Sequence, residues 1–146
     1  MSYEQKSKAL RDHLYAEEID EFELLLQQVF SDKSSDAVEC LIRTLEENDD
    51  YHDEMYQILH AAEAYPMETY LQGLLAGFNK PPADSYWLGM LILRVMNDQN
   101  YLSMLQSMTG SLSPESKSNL KKIVVAASTQ NPDFLGRSRE LLKTLN

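Results

Sequence analysis

Apolar residues recur every three to four positions through almost the whole of this chain, and nowhere do they alternate over the length of a strand. That spacing gathers them on one face of a helix, whereas a strand would scatter them over both faces of a sheet. A chain so patterned can bury its apolar side chains only by packing helix on helix, so the fold class expected is all-α. The period predicts a polar first helix over 3–15, with Leu10 and Leu14 turned inward, and a second over "EEIDEFELLLQQVF", with Ile19, Phe22, Leu25, Leu26 and Val29 inward. A third follows over "SDAVECLIRTLEEN", burying Val38, Leu41, Ile42 and Leu45. The runs "YHDEMYQILHAAEA", "PMETYLQGLLAGF", "SYWLGMLILRVM", "QNYLSMLQSM", "PESKSNLKKIVVAAS" and "PDFLGRSRELLKTL" complete a set of about eight to nine helices.

Helix breakers agree with these borders. Pro66, Pro114 and Pro132 suit the first helical position, where the missing N–H costs nothing, and Pro81 and Pro82 fall in a loop. Ser35 or Asp36, Asp84, Asp98, Ser113 and Asn131 are placed to accept from the first free amides of the helices they precede. Gly110 stands where a C-terminal cap is expected, and Gly73, Gly77, Gly89 and Gly136 lie inside or near helix ends, where they permit close approach of a neighbour.

A degenerate repeat runs through the middle of the chain. Tyr51 and Tyr86 start corresponding helices, Met55 matches Met90 and Ile58 matches Leu93, while the partner helices carry Tyr70-Leu71, Tyr101-Leu102 and Phe134-Leu135. Two-helix units of this length stack into a solenoid, each covering its neighbour's apolar face. The expected architecture is therefore one domain over residues 1–146, built of stacked antiparallel hairpins in a HEAT-like superhelix. A compact irregular bundle is the alternative.

Charge is distributed unevenly. Residues 1–73 hold 18 acids and 5 bases, residues 74–146 hold 5 acids and 8 bases, and the chain as a whole carries −10. Such a chain repels phosphate backbones, whose affinity for proteins depends on bases displacing counterions, so no nucleic-acid partner is expected. The acidic half favours encounter with a basic one. The acids concentrate at Glu46, Glu47, Asp49, Asp50, Asp53 and Glu54, with no Lys or Arg among them. Asp49 and Asp50 suit the start of the helix that begins near Tyr51, since the helix dipole favours anions there. Glu46 and Glu47 are expected in the last turn of the preceding helix, where the same dipole disfavours them by some tenths of a kcal/mol. A cluster that contributes little to folding points to a cationic partner. Tyr51, Tyr56, Tyr86 and Trp87 are the aromatic candidates near the same helices. Trp87 is expected to pack, with an accessible edge serving as an interface anchor.

Catalytic signatures are lacking: there is no Gly-rich phosphate loop, no GxSxG and no HExxH. His52 and His60 lie roughly 12 Å apart along a helix axis, too far to share one ion, and no metal or other cofactor is expected. Cys40 is the sole cysteine and sits among apolar positions, without a base to activate it. The opening "MSYEQKSKALRDH" has no apolar core of a secretory signal, and the longest apolar run, "WLGMLIL", is stopped by Arg94, so a cytoplasmic protein without a membrane span is expected.

Over residues 49–105, the acidic-Tyr entry "DDYHDEMY", then "QILHAAEAY", "YLQGLL" and "LILRVMND" leading into "YLSML", the chain resembles the small all-helical immunity proteins of bacterial polymorphic-toxin and contact-dependent growth inhibition systems. The resemblance implies a non-enzymatic protein that binds one secreted toxin domain and covers its active site or blocks substrate entry. Many such toxins are basic nucleases, which suits the acidic half. The partner expected is thus a basic ribonuclease or deoxyribonuclease domain, bound by a chain that is monomeric when free. Its contacts are expected at Glu46, Glu47, Asp49, Asp50, Asp53, Glu54, Tyr51, Tyr86 and Trp87, with Glu17, Glu18, Asp20 and Glu21 as a secondary set. The alternative function is a helical-repeat adaptor that binds an endogenous basic protein.

Overall fold

The computed structural model describes residues 1–81 and 86–146, without the side chain of Asp49. Among them there are nine α-helices and no strand, so the chain is all-α. Two compact units divide it, Met1–Gly77 and Phe78–Asn146. The boundary falls in a stretch without charged residues, so the charge asymmetry of the sequence belongs to the units themselves: all 18 acids of the acidic half lie in the first.

The first unit contains α1 (Tyr3–Tyr15), α2 (Ile19–Ser31), α3 (Ser35–Thr44), α4 (His52–Glu63) and α5 (Met67–Gly77). The short α3 is its hub, packing against each of the other four. Leu10, Leu14, Phe22, Val29, Val38 and Leu41 are wholly buried, each worth about 1.5–3 kcal/mol relative to exposure. Against α5, α3 approaches so closely that a β-carbon on Gly73 would stand 2.5 Å from Val38 Cβ, which is the close approach a glycine permits. A small polar seam crosses this core. The hydroxyls of Ser7 and Thr44 lie 2.9 Å apart, and Thr44 also donates to the Cys40 carbonyl at 2.8 Å. Arg11 closes the end of α3 by donating to the Arg43 carbonyl at 2.9 Å.

In the second unit, α6 (Tyr86–Met96), α7 (Gln99–Met108), α8 (Pro114–Gln130) and α9 (Leu135–Lys143) follow one another, with α8 packed on α6 and α9 on α8. Leu88, Leu91, Ile92, Leu102, Leu120, Val124 and Leu141 are buried. Two side chains satisfy helix-end carbonyls across the unit: Asn119 donates to Phe78 at 2.9 Å, and Arg137 to Met96 at 2.7 Å.

Helix starts follow the capping signals closely, with differences. Asp98 accepts from the amides of Asn100 and Tyr101, and Ser113 from that of Ser116 with Pro114 at the first position, as expected. The α3 cap is Ser34, which accepts from Ala37, one residue before the expected Ser35 or Asp36. Asn131 ends α8, its Nδ2 donating to the Ala127 carbonyl at 2.8 Å, and does not cap the turn that follows; Pro66 precedes the first residue of α5, and Gly110 sits in a short 3-10 turn after α7. The cap expected of Asp84 and the loop position of Pro82 lie outside the described residues. None of the helices among the described residues is long and apolar enough to cross a membrane.

Candidate interaction surface

Two turns of the first unit carry the acids, and each is shaped by its own local chemistry. At the end of α1, Glu17 takes φ 59°, the one non-glycine residue with positive φ among those described. Its N–H donates to the Leu14 carbonyl at 3.0 Å, and that of Glu18 to His13 at 2.8 Å. This paired closure ends many helices, with glycine in the left-handed place because a β-carbon is strained there. Here a glutamate occupies it. Glu17, Glu18, Asp20 and Glu21 are all exposed as the chain enters α2.

The second turn joins α3 to α4. Leu45 is buried while its backbone has already left the helix, so α3 stops at Thr44. Glu46 and Glu47 therefore lie beyond the helix, half-buried and exposed, and not in its last turn as the sequence led one to expect. The dipole cost anticipated for them does not arise. Asn48 then accepts from the Asp50 amide at 3.0 Å and opens a short 3-10 turn, Asp49–Tyr51, that leads into α4. Asp53 and Glu54 occupy the first turn of α4, where the dipole favours them. The cluster is thus better tolerated than its density suggests.

These turns meet through aromatic contact. The ring of Tyr15, at the end of α1, lies 5.4 Å from that of Tyr51, centroid to centroid, and α2 packs against α4. The primary and secondary acidic runs consequently border one surface. Glu46, Asp50, Asp53 and Glu54 form no ion pair with a Lys or Arg among the described residues, nor do Glu17, Asp20 and Glu21, while Glu18 meets only the His13 ring, at 3.2 Å. Of the unit's bases, Lys8 pairs with Asp12 and Arg43 with Glu39, Arg11 donates to a carbonyl, and Lys6 and Lys33 stand over the rings of Tyr3 and Phe30.

Tyr86 and Trp87 stand at the start of α6 in the second unit. Tyr86 is 42% exposed, but Trp87 is 3% exposed, packed as expected, and offers almost none of its ring to a partner. Tyr15 was not among the residues singled out from the sequence. Its signal was present: Leu10 and Leu14 define the buried face of α1, and Tyr15 follows Leu14 by 100°, which turns a large aromatic toward solvent beside an acidic run.

Burial pushes the Cys40 thiol up to about 11, outweighing the downward pull of Lys6 and Arg11, and its Sγ donates to the Tyr3 carbonyl at 3.4 Å. A thiol held protonated is a poor nucleophile. No group of three His, Cys, Asp or Glu side chains comes together as a metal site among the described residues.

A model of the family described as Immunity protein 30 matches residues 7–105, more than half of the chain. It runs from within α1 to within α7, and so begins well before residue 49, where the resemblance read from the sequence starts. Neither a curated protein nor a solved structure matches the chain.

Proposed function

The chain belongs to the Immunity protein 30 family, and from that premise we propose that it neutralises a cognate basic toxin domain, a ribonuclease or deoxyribonuclease, by occupying the surface where the toxin's phosphate substrate would sit. The family makes it an immunity protein with a toxin as partner. The observation that carries the finer reading is the Tyr15–Tyr51 contact, which borders two acidic turns where Glu17, Asp20, Glu21, Glu46, Asp50, Asp53 and Glu54 form no ion pair with a Lys or Arg among the described residues. Mutual repulsion among these groups, weakened but not abolished by salt at separations near 10 Å, is relieved when a cationic surface docks. Glu46, Glu47, Asp49, Asp50, Asp53 and Glu54 then supply the primary contacts, Glu17, Glu18, Asp20 and Glu21 the secondary ones, and Tyr51 the ring at their centre. The protein acts by binding in the cytoplasm of the cell it protects, without catalysis.

The test is co-purification with the toxin domain encoded beside it, together with growth protection against that toxin. Reversing Asp50 and Asp53 to lysine should slow association about ten-fold at low salt, with the rates converging as salt rises, because exposed charges act mainly on encounter. Protection without a stable complex would overturn the binding mechanism. Unchanged association by a folded double variant would remove this surface from the interface.

A further inference from the structure

A leucine stands in the middle of the outer face of α2. Phe22, Leu25 and Val29 hold this helix to the core and are buried. Successive helical residues advance by about 100°, which places Leu24 about 100° to 160° round the axis from those three. It is 58% exposed. Asp20, Glu21, Gln27 and Gln28 fall within about 60° of it on the same helical geometry and are exposed as well. Asp20, Glu21 and Glu23 form no ion pair with a Lys or Arg among the described residues. A lone surface leucine needs no explanation, but this one belongs to a concentration. Apart from Met1, the exposed large apolar side chains described in the first unit are Tyr15, Ile19 and Leu24. All three fall within residues 15–24, a stretch that also holds Glu17, Glu18, Asp20, Glu21 and Glu23 and no Lys or Arg.

Resting on the toxin-binding reading above, we propose that Leu24 is the apolar centre of the toxin interface, seated in an apolar pocket of the toxin domain that is rimmed by lysine or arginine side chains. Protein interfaces combine an apolar centre with a polar rim, and a helix laid by one face into a groove is a recurring mode of recognition. Here the helix is already formed and held by its buried face, so docking orders little beyond the side chains it presents. The carboxylates beside Leu24 set the sign of the rim. A neutral rim would strip them of water and leave them without partners, whereas basic side chains pair with them. The two kinds of group then act on different steps. Exposed carboxylates speed encounter, and salt screens that effect. Apolar surface withdrawn from water slows departure, and salt does not screen it. Leucine is also a good helix former, but alanine is a better one, so a single substitution separates helix propensity from docking.

The test uses the full chain and the toxin domain encoded beside it, with association and dissociation rates measured at low and at high salt. Leu24→Ala should raise the dissociation constant about ten-fold, through faster dissociation and to the same extent at both salt concentrations, in a chain of unaltered thermal stability. Leu24→Met, which keeps an apolar side chain of similar volume, should restore affinity to within about two-fold. Asp20→Asn with Glu23→Gln should slow association at low salt only. A complex indifferent to Leu24→Ala, or a loss of affinity that disappears at high salt, would overturn the proposal and leave the toxin reading standing. Failure of the unaltered chain to form any complex would overturn both, so the two failures are distinguishable.

Discussion

Tyr15 and Tyr51 come from helix ends 36 residues apart in the chain, yet their rings lie 5.4 Å from centroid to centroid at an interplanar angle of 47°. This contact makes one surface of two acidic turns. Aromatic side chains flanked by polar groups are the usual anchors of protein interfaces, where a few residues carry most of the binding energy. Tyr15 is 39% exposed, so its loss costs the fold little. Tyr15→Ala is expected to raise the dissociation constant for the toxin about ten-fold, mainly through faster dissociation, while the melting temperature stays within about 2 °C. Surface plasmon resonance on the purified pair, with a thermal melt of each variant, measures both. An unaltered dissociation rate would show that the tyrosine pair is a structural contact alone.

Glu17 supplies a prediction of opposite sign for stability. It holds φ 59° at the position where glycine ordinarily closes a helix, so its β-carbon is strained and a glycine would relieve it. Glu17→Gly should stabilise the protein by about 1 kcal/mol, since the native backbone is one that glycine adopts freely. The gain is smaller than the strain itself because glycine also enlarges the entropy of the unfolded chain. If the carboxylate contacts the toxin, the same variant binds less tightly. Urea unfolding and binding kinetics on one preparation measure the two effects, and a loss of stability would refute the account of the turn.

The helical class, most helix borders and the uneven charge were all legible in the sequence, because each is a local property: a 3.6-residue period, a capping serine or aspartate, a count of acids. What escaped was set by tertiary contact. Leu45 continued the apolar period of α3, but it is buried from an extended backbone after the helix has ended, so Glu46 and Glu47 were assigned to a turn that does not exist. Ile19 was expected inward, yet it is the first residue of α2 and remains 36% exposed. The left-handed residue carries no glycine to betray it. The juxtaposition of Tyr15 with Tyr51 depends on how α1, α2 and α4 pack, which no local pattern encodes. Of the proposed contact residues, the acids were found from charge density alone, whereas the ring that borders both acidic turns needed the fold.

Gly73 tests the close packing of α3 on α5. An added β-carbon would lie 2.5 Å from both Cβ and Cγ1 of Val38 and 2.8 Å from the Ser35 carbonyl oxygen, distances that require the helices to move. Gly73→Ala should therefore destabilise by about 1–3 kcal/mol, although alanine is the better helix former. Adding Val38→Ala removes the Cγ1 clash and leaves those with the residue's Cβ and the Ser35 carbonyl, so the double variant should be more stable than the sum of the single effects. The midpoint of urea unfolding reports this, and strict additivity would mean that the two side chains do not collide.

Tyr65 gives a pH-dependent prediction. Its hydroxyl donates to the Asp32 carbonyl at 2.6 Å, with the Val29 and Phe30 carbonyl oxygens each 3.2 Å away, so one side chain closes the end of α2. Its ring meets that of Phe30 edge to face, under the Lys33 ammonium. Burial first, then the Asp32 carboxylate and Cys40, push the phenol from 10 up to about 12. The folded protein therefore keeps a proton that the unfolded chain gives up above pH 10. The hydroxyl's contribution is complete below pH 10 and is lost as pH rises from 10 to about 12. Tyr65→Phe should cost about 1 kcal/mol at neutral pH, for the lost hydrogen bond, and flatten the decline of stability across that alkaline window. Cys40, raised from 9 to about 11, declines in the same direction from pH 9, so the comparison belongs in a Cys40→Ala background. Urea midpoints between pH 8 and 12 measure it. An equally steep decline in the phenylalanine variant would assign the alkaline loss to groups other than this hydroxyl, and the cap at the end of α2 would then contribute nothing that titrates.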